Sequence, residues 1–422
     1  MASDTIVALS SGGLPAAIAV IRTSGPAALA AAQSVAGKPP TPRRATLRSL
    51  RNPADGALID RAVLLFFPGP DSATGEDIVE YQCHGSKAVV SALIAALIAQ
   101  PGMRTAEPGE FTRRALSNGR IDLTQAEGLA ELLEAESEAQ RISALRRAEG
   151  SLRTEVERWR ATLLMLSAEA EVAIDYSDEE DGAHKFEPAE RVSTLVAALD
   201  TLLSAPRVER LRDGVRIVVA GPPNAGKSSL VNALAGQIRA IVTAIPGTTR
   251  DLIEIPLSIA GIPMTLVDTA GLRATDDEVE RIGIDLAKRE IERADILLWL
   301  GADLDRPAHP RSLLIATKAD LQVGVGHSVS TVTSHGVDDL KSLIADMALD
   351  VVPSTEQLGL NAREAELVEQ CRQALLRSVE VNDPVLIAEE LRLARSALDR
   401  VSGISGVDQL LDALFSRFCL GK

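Results

Sequence analysis

The chain has 422 residues, 44 of them basic and 59 acidic, for a net charge of −15 and a pI near 5.0. That length allows two or three domains with substantial cores, and the acidic balance argues against non-specific nucleic-acid binding by the chain as a whole. Cys83, Cys371 and Cys419 form no C-x-x-C pair, the histidines are scattered, and no apolar run approaches the ~18–20 residues of a membrane span, so a disulfide scaffold, a zinc site and a membrane protein are excluded and a cytoplasmic location is expected.

In chain order, residues 1–118 mix short strand-like runs (Thr5–Leu9, Ala17–Arg22, Ala62–Phe67, Ile78–Cys83) with a helix near Ala88–Ala99, and Gly and Pro turns separate them. This predicts a small α+β domain. It holds 11 basic and 9 acidic residues, a net of +2, so the rest of the chain carries −17 and a polyanionic partner would meet a local surface here.

From Ile121 the composition turns to Ala, Glu, Leu and Arg, and Thr124-Gln125-Ala126-Glu127 reads as a capping box. Leu152, Val156, Trp159, Leu163 and Leu166 recur at helical spacing and form a seam that needs a partner helix. The helical run breaks at the acidic segment 175–181 and resumes from Pro188 to Leu211. These features define a first helical piece, 119–212.

Residues 213–349 carry the most specific motif. Gly221-Pro222-Pro223-Asn224-Ala225-Gly226-Lys227-Ser228 fits G-x-x-x-x-G-K-[ST], between the strand-like Val215–Ala220 and a helix beginning at Ser229. Such a turn wraps a phosphate chain with backbone N–H groups at a helix N-terminus, with Lys227 on the terminal phosphates and the Ser228 hydroxyl on magnesium. The run Met264–Gly271 is a strand ending in Asp268-Thr269-Ala270-Gly271, where Asp268 holds magnesium through water and the Gly271 N–H serves the γ-phosphate. Leu313–Asp320 is another strand ending in Thr317-Lys318-Ala319-Asp320; a carboxylate there accepts from both N1–H and the exocyclic amine of guanine, which adenine does not offer. The nucleotide is therefore GTP, with Ser330-Thr331 as the candidate last guanine loop.

Thr317 replaces the more usual asparagine of that motif, which predicts modest nucleotide affinity. Between the first two motifs, 243–251 (Thr-Ala-Ile-Pro-Gly-Thr-Thr-Arg-Asp) must supply a threonine to the magnesium shell. Leu272 follows Gly271 where many small GTPases place a water-orienting glutamine, so hydrolysis needs a polar group from elsewhere; Arg273, Asp276, Asp277, Glu278 and Glu280 are the nearby candidates. The short interval between Trp299 and Thr317 predicts a G domain with one helix reduced or missing.

Helical composition returns by Asn361 and continues to the end of a second helical piece, 350–422. Each piece exposes a seam the other can cover, which predicts one helical domain with the GTPase inserted. The tail Phe415-Ser416-Arg417-Phe418-Cys419-Leu420-Gly421-Lys422 leaves two readings of Cys419, a reactive thiol beside basic residues or a buried inert one.

Taken together, the phosphate loop, Gly247–Asp251, Asp268–Arg273, the terminal F-C-L-G-K, the opening Asp4–Ala8, Thr74-Gly75-Glu76-Asp77 and Pro108-Gly109-Glu110-Phe111 make the whole chain resemble the MnmE (TrmE) family of bacterial tRNA modification GTPases. The resemblance implies a multidomain α/β and α architecture: an N-terminal α+β folate-binding-like domain that dimerises, a helical domain, and an inserted P-loop GTPase domain of Ras-like doubly wound type. It implies an enzyme that works with the flavoprotein MnmG, which carries the FAD, in a heterotetramer or larger complex. The reaction would place a 5-carboxymethylaminomethyl or aminomethyl group on the wobble uridine of certain tRNAs, with a tetrahydrofolate derivative (5,10-methylene or 5-formyl form) as one-carbon donor. By the same resemblance, Asn224, Thr243, Ile245 and Thr248 surround potassium, Ser228 and Thr249 bind magnesium, Glu280 positions the attacking water, and Arg22, Glu80, Arg120 and Lys422 bind folate. Cys419 falls at the family's C-terminal cysteine, and the GTP site spans Asn224–Ser229, Thr243, Thr248, Thr249, Asp268–Gly271, Thr317, Lys318, Asp320, Ser330 and Thr331. The alternative for the G motifs alone is a ribosome-assembly or signalling switch that does no chemistry on RNA.

Overall fold

Val7, Ala19, Ile21, Leu64, Val79 and Tyr81 occupy alternate positions of their strands, so each strand presents one apolar face to the same side. The computed structural model describes residues 4–175, 188–236, 253–269, 286–321, 324–353, 357–404, 411, 414, 415, 418 and 421. They form two compact units, 1–130 with 402–422, and 131–401.

In the first unit, β1 (Thr5–Leu9), β2 (Ala16–Ser24), β3 (Thr46–Arg51), β4 (Leu58–Phe67), β5 (Ile78–Gly85) and β6 (Met103–Thr105) form one sheet in the order β3-β4-β5-β2-β1-β6, antiparallel except for the β1–β6 pair. Helices α1 (Ala28–Ala36) and α2 (Lys87–Ile98) bury Ala28, Ala31, Ala32, Val35, Val90, Leu93 and Leu97 in the same core. A fully buried Leu or Val contributes roughly 1.5–3 kcal/mol. Two short elements, α3 (Glu110–Ser117) and the start of α4 (Leu123–Glu134), follow. Leu123, Ala126 and Ala130 pack with Leu414, Phe415 and Phe418, so residues of the tail complete this unit. The boundaries expected from sequence group 119–130 and 402–422 with the helical pieces; by packing, residues of both segments also fall with this unit.

The capping box of α4 lies two residues before its expected place. Asp122 Oδ1 accepts from the Gln125 amide at 2.9 Å, and Gln125 Oε1 accepts from the Asp122 amide at 3.2 Å, while Thr124 is buried inside the helix.

In the second unit, the seam Leu152, Val156, Trp159, Leu163 and Leu166 on α6 (Ser151–Asp175) is buried throughout. Its partners are α7 (Ala189–Ser204) and two helices from beyond the G domain, so both helical pieces share one core, with Val368, Leu375, Leu391 and Leu398 from the second. The expected helix from Pro188 to Leu211 is two helices: α7 stops at Ser204 because Ala205 precedes Pro206 and is extended, and α8 (Glu209–Asp213) starts afresh. Arg147, at the end of α5 (Glu138–Ala148), is fully buried and makes a bidentate pair with Glu364 at 3.0 Å, plus a bond to the Gly359 carbonyl at 3.1 Å. Burial would raise the Glu364 carboxyl, but Arg147 holds it below its ordinary value; Glu131, also beside Arg147, is pushed up by burial.

The inserted domain is a doubly wound sheet of β7 (Val215–Ala220), β8 (Ile253–Ile259), β9 (Ile262–Asp268), β10 (Ile296–Trp299), β11 (Ser312–Thr317) and β12 (His327–Val329) in the order β12-β11-β10-β7-β9-β8. Only β8 runs antiparallel to its neighbour. Between β10 and β11 the chain makes only a 3₁₀ turn, Asp303–Asp305, in keeping with the short interval there. Helices α9 (Lys227–Gly236) and α10 (Val337–Leu349) flank the sheet; α11 (Ala362–Glu380) and α12 (Pro384–Val401) return to the helical core. No helix among the described residues is long and apolar enough to cross a membrane.

Candidate functional site

Strand β7 lies between β10 and β9, so the chain leaving its C-terminal end sits where the strand order reverses, the position at which open α/β sheets bind ligands. That chain is the phosphate loop. Gly221 has φ +150°, and a Cβ there would lie 2.9 Å from the Leu300 carbonyl oxygen; Gly226 has φ +92°. Lys227 is buried, and its ammonium donates to the Gly221 and Pro222 carbonyls at 2.8 and 2.9 Å. The loop is thus held in a closed turn by the side chain expected to reach the phosphates. Ser228 and Ser229 stand exposed in the first turn of α9, where free backbone N–H groups and the helix dipole favour an anion.

Asp268 is buried at the end of β9 and lies opposite Val219 of β7. Thr269 Oγ1 donates to the Val219 carbonyl at 2.8 Å, which fixes the start of the Asp-x-x-Gly turn beside the phosphate loop. This donor set, a hydroxyl at a helix N-terminus and a nearby buried carboxylate, fits a hard cation such as magnesium. The base-reading side is equally tied down. Thr317 Oγ1 donates to the Ala225 carbonyl at 2.7 Å, Lys318 Nζ to the Asn224 carbonyl at 3.4 Å, and Ser330 Oγ to Asp320 Oδ1 at 2.6 Å. Asn224 and Lys318 both have positive φ, 63° and 60°. The structure therefore brings together Asn224–Ser229, Asp268, Thr269, Thr317, Lys318, Asp320, Ser330 and Thr331. Thr243, Ile245, Thr248, Thr249, Ala270, Gly271 and Glu280 lie outside the described residues, as do Cys419 and Lys422.

A second candidate site lies in the first unit. A cavity of about 380 Å³ is lined by Arg22, Thr74, Phe111, Thr112, Arg120 and Ile121, among others. Arg22 and Glu80 face each other across β2 and β5, paired at 2.6 Å, and the Arg22 guanidinium lies 5.9 Å from the Phe111 ring centroid. Arg120, 3.8 Å from Asp71, is half exposed at the same cavity. Two cations against an aromatic and aliphatic wall suit a flat, anionic ligand, which fits a folate. Gly421, with φ +91°, abuts the Leu9 carbonyl, and its own carbonyl accepts from Ser10 Oγ at 2.9 Å, so the tail is pinned beside β1 one residue before Lys422. Cys83 is buried on the opposite face of β5 from Glu80, and burial, with Asp60 adding to it, pushes its thiol up.

Sequence reasoning did not assign roles to Asp4, Glu76, Arg104, Glu110 and Arg114, which form an ion cluster in the same unit, with Glu76, Glu110 and Arg114 next in sequence to or within the elements that line the cavity. The segments Asp4–Ala8, Thr74–Asp77 and Pro108–Phe111 were a signal for it, since all three of its acids lie in them.

Comparison with known proteins agrees with this geometry. Residues 5–120 match the family described as "GTP-binding protein TrmE N-terminus", and residues 123–419 match "MnmE helical domain". A tRNA modification GTPase MnmE from Rhizorhabdus wittichii is 50% identical over 432 aligned positions, covering 100% of this chain and 97% of that protein. The protein of the same name from Novosphingobium aromaticivorans is 48% identical, with 100% of both chains covered, and that from Erythrobacter litoralis is 48% identical, with 99% of this chain and 100% of that protein covered. With phosphate and base loops that bond to each other inside a chain whose N-terminal and helical regions both match, and a relative 50% identical over its full length, the chain belongs to the MnmE family of tRNA modification GTPases.

Proposed function

We propose that this GTPase acts with MnmG, in a heterotetramer or larger complex, to build a 5-carboxymethylaminomethyl or aminomethyl group on the wobble uridine of certain tRNAs, in the cytoplasm. The observation that carries the reading is the presence, in one chain, of a guanine-nucleotide site and a cavity of about 380 Å³ with Arg22 and Arg120 in its wall. A reduced folate bound there would supply the one-carbon unit, and the flavin belongs to the partner. Arg22, held by Glu80, and Arg120 bind and orient its anionic groups, with Lys422 as a further candidate; Cys419 is a candidate thiol for the same chemistry.

On the GTP side, Lys227 holds the terminal phosphates, and Ser228 with Thr249 binds magnesium. Asn224, Thr243, Ile245 and Thr248 hold potassium, whose charge would serve the transition state as an arginine does elsewhere. Glu280 orients the attacking water in place of Leu272. Pairing of two G domains within a homodimer, assembled through the N-terminal domains, activates hydrolysis and gates the RNA chemistry.

Mass spectrometry of tRNA nucleosides from cells lacking this chain tests the reading. Loss of the modified wobble uridine, restored by the wild type and not by Lys227→Ala, supports it. An unchanged nucleoside profile sinks it.

A further inference from the structure

The cavity of the first unit has two walls from different parts of the chain: the 72–74 loop on one side, and α3 with the turn to Arg120 on the other. Nothing in either wall alone fixes their separation. Besides the 3.8 Å approach of Arg120 to Asp71, two hydrogen-bonded contacts join them among the described residues. Arg114 of α3 is buried, and its Nη1 donates to both carboxylate oxygens of Glu76 at 3.2 and 3.1 Å. Asn118 Nδ2, at the end of the same helix, donates to the Thr74 carbonyl at 2.7 Å.

Glu76 in turn accepts from Ser24 Oγ at 2.7 Å, and Ser24 Oγ shares a 2.7 Å hydrogen bond with Thr74 Oγ1, so the loop is fastened to β2 as well. Between the two contacts sits Gly75, with φ +80°. A Cβ built on it would lie 3.0 Å from Asn118 Cβ and 3.3 Å from Arg120 Cγ, so the loop backbone rests directly on the Arg120 stem.

We propose that the Glu76–Arg114 pair is a clamp that sets where the Arg120 guanidinium stands in the cavity, making both of its members positioning residues for the ligand. The proposal rests on the reading of this cavity as the folate site. A charged pair with a buried guanidinium suits that role, because one guanidinium nitrogen spans both Glu76 oxygens in a charge-assisted contact, and a group placed by packing and a supporting hydrogen-bond shell loses affinity when that shell loosens. Arg114 also bonds Asp4 and Glu110, which further fixes the guanidinium.

The test is isothermal titration of the full-length protein with 5-formyltetrahydrofolate, for the wild type, Arg22→Ala, Glu76→Gln, Arg120→Ala and the Glu76→Gln/Arg120→Ala double variant. Glu76→Gln keeps the shape of the side chain but loses the charge; it should weaken binding by about tenfold, the scale of a lost supporting-shell contact in a preformed site. In the double variant the Arg120→Ala loss should shrink, because an arginine no longer held in place has less to lose; a purely structural role for Glu76 would leave the two losses multiplying. If Glu76→Gln is too unstable to titrate, Asn118→Ala, an exposed change at the second contact, must weaken binding in the same direction. Wild-type affinity in the variant that is read, or losses that multiply, would overturn the clamp while a binding wild type and a non-binding Arg22→Ala leave the folate reading intact. No binding by the wild type would overturn that reading, and the clamp with it.

Discussion

The Thr317 hydroxyl donates to the Ala225 carbonyl at 2.7 Å, joining the strand end proposed to read the base to the loop proposed to wrap the phosphates. Gly226 makes room for the approach, since a Cβ there would already stand 3.4 Å from Thr317 Oγ1. An asparagine at this position has an amide to divide between such a contact and others; a threonine has one hydroxyl, and here that hydroxyl goes to the loop.

Thr317→Val, which keeps the shape and removes the donor, should therefore weaken GDP binding about fivefold, the loss of one net hydrogen bond of about 1 kcal/mol. Thr317→Ser should retain most of the affinity. Titration with a fluorescent GDP analogue distinguishes the two, and equal affinities for Val and Ser would mean that the hydroxyl contributes nothing.

Ser330 Oγ, 2.6 Å from Asp320 Oδ1, orients the carboxylate proposed to meet N1–H and the exocyclic amine of guanine. Ser330→Ala should lower the preference for GTP over ITP, which lacks that amine, by roughly the several-fold that one charge-assisted hydrogen bond contributes. The ratio of kcat/KM for the two nucleotides is the measurement; an unchanged ratio would assign Ser330 a role in the loop only.

Gly109 has φ +69°, and a Cβ there would lie 2.7 Å from the Phe415 carbonyl oxygen. Gly109→Ala should destabilise the first unit by about 1–3 kcal/mol through backbone strain alone, with the contact adding to it. Limited proteolysis should then cleave within residues 402–422 sooner than in the wild type. Equal cleavage rates would show that the tail docks without this close approach.

The acid dependence of the first unit follows from Asp4 and Glu110. A hydrogen bond from Arg104 leads in holding Asp4 below its ordinary 3.8, against the cost of burial, and Arg114 adds to it. For Glu110 burial is the largest influence and would raise the carboxyl, but bonds from Arg104, the Glu107 amide and Arg114 together bring it below its ordinary 4.5. Carboxyls depressed by folding stabilise the fold fully above their unfolded values and lose that contribution as the pH falls through their folded ones. Amide exchange in residues 4–130 should accordingly rise as the pH drops below about 4, and this acid dependence should be smaller in Arg104→Met, which removes a partner that depresses both carboxyls. A protection profile flat from pH 6 to about 3, after correction for intrinsic exchange, would contradict this.

The phosphate loop was legible because its chemistry is local: strand, turn and helix are consecutive, and glycines stand where the backbone needs positive φ. The seam of α6 was legible for the same reason, and its partners could be inferred only because the second helical piece offered a complementary one. Other features turn on distant residues. Lys318 reaches the Asn224 carbonyl, and Arg114 gathers Asp4, Glu76 and Glu110, with no spacing to announce either. Strand β3 (Thr-Leu-Arg-Ser-Leu-Arg) is hidden in the sequence because an edge strand can carry polar residues on both faces, and alanine-rich α1 because its periodicity is faint. Ala205-Pro206 does carry a stop signal for α7, outweighed in the sequence by the apolar run on either side.

A ribosome making this chain releases Leu123, Ala126 and Ala130 long before Leu414, Phe415 and Phe418 exist. The first unit therefore waits, with an apolar strip uncovered, while the helical pieces and the G domain are synthesised and fold. Its final closure is a late event that depends on a segment made hundreds of codons afterwards. A nascent chain stalled before residue 402 would hold a complete GTPase sheet and an unfinished first unit, and a chaperone that binds exposed apolar helix faces would find its target there.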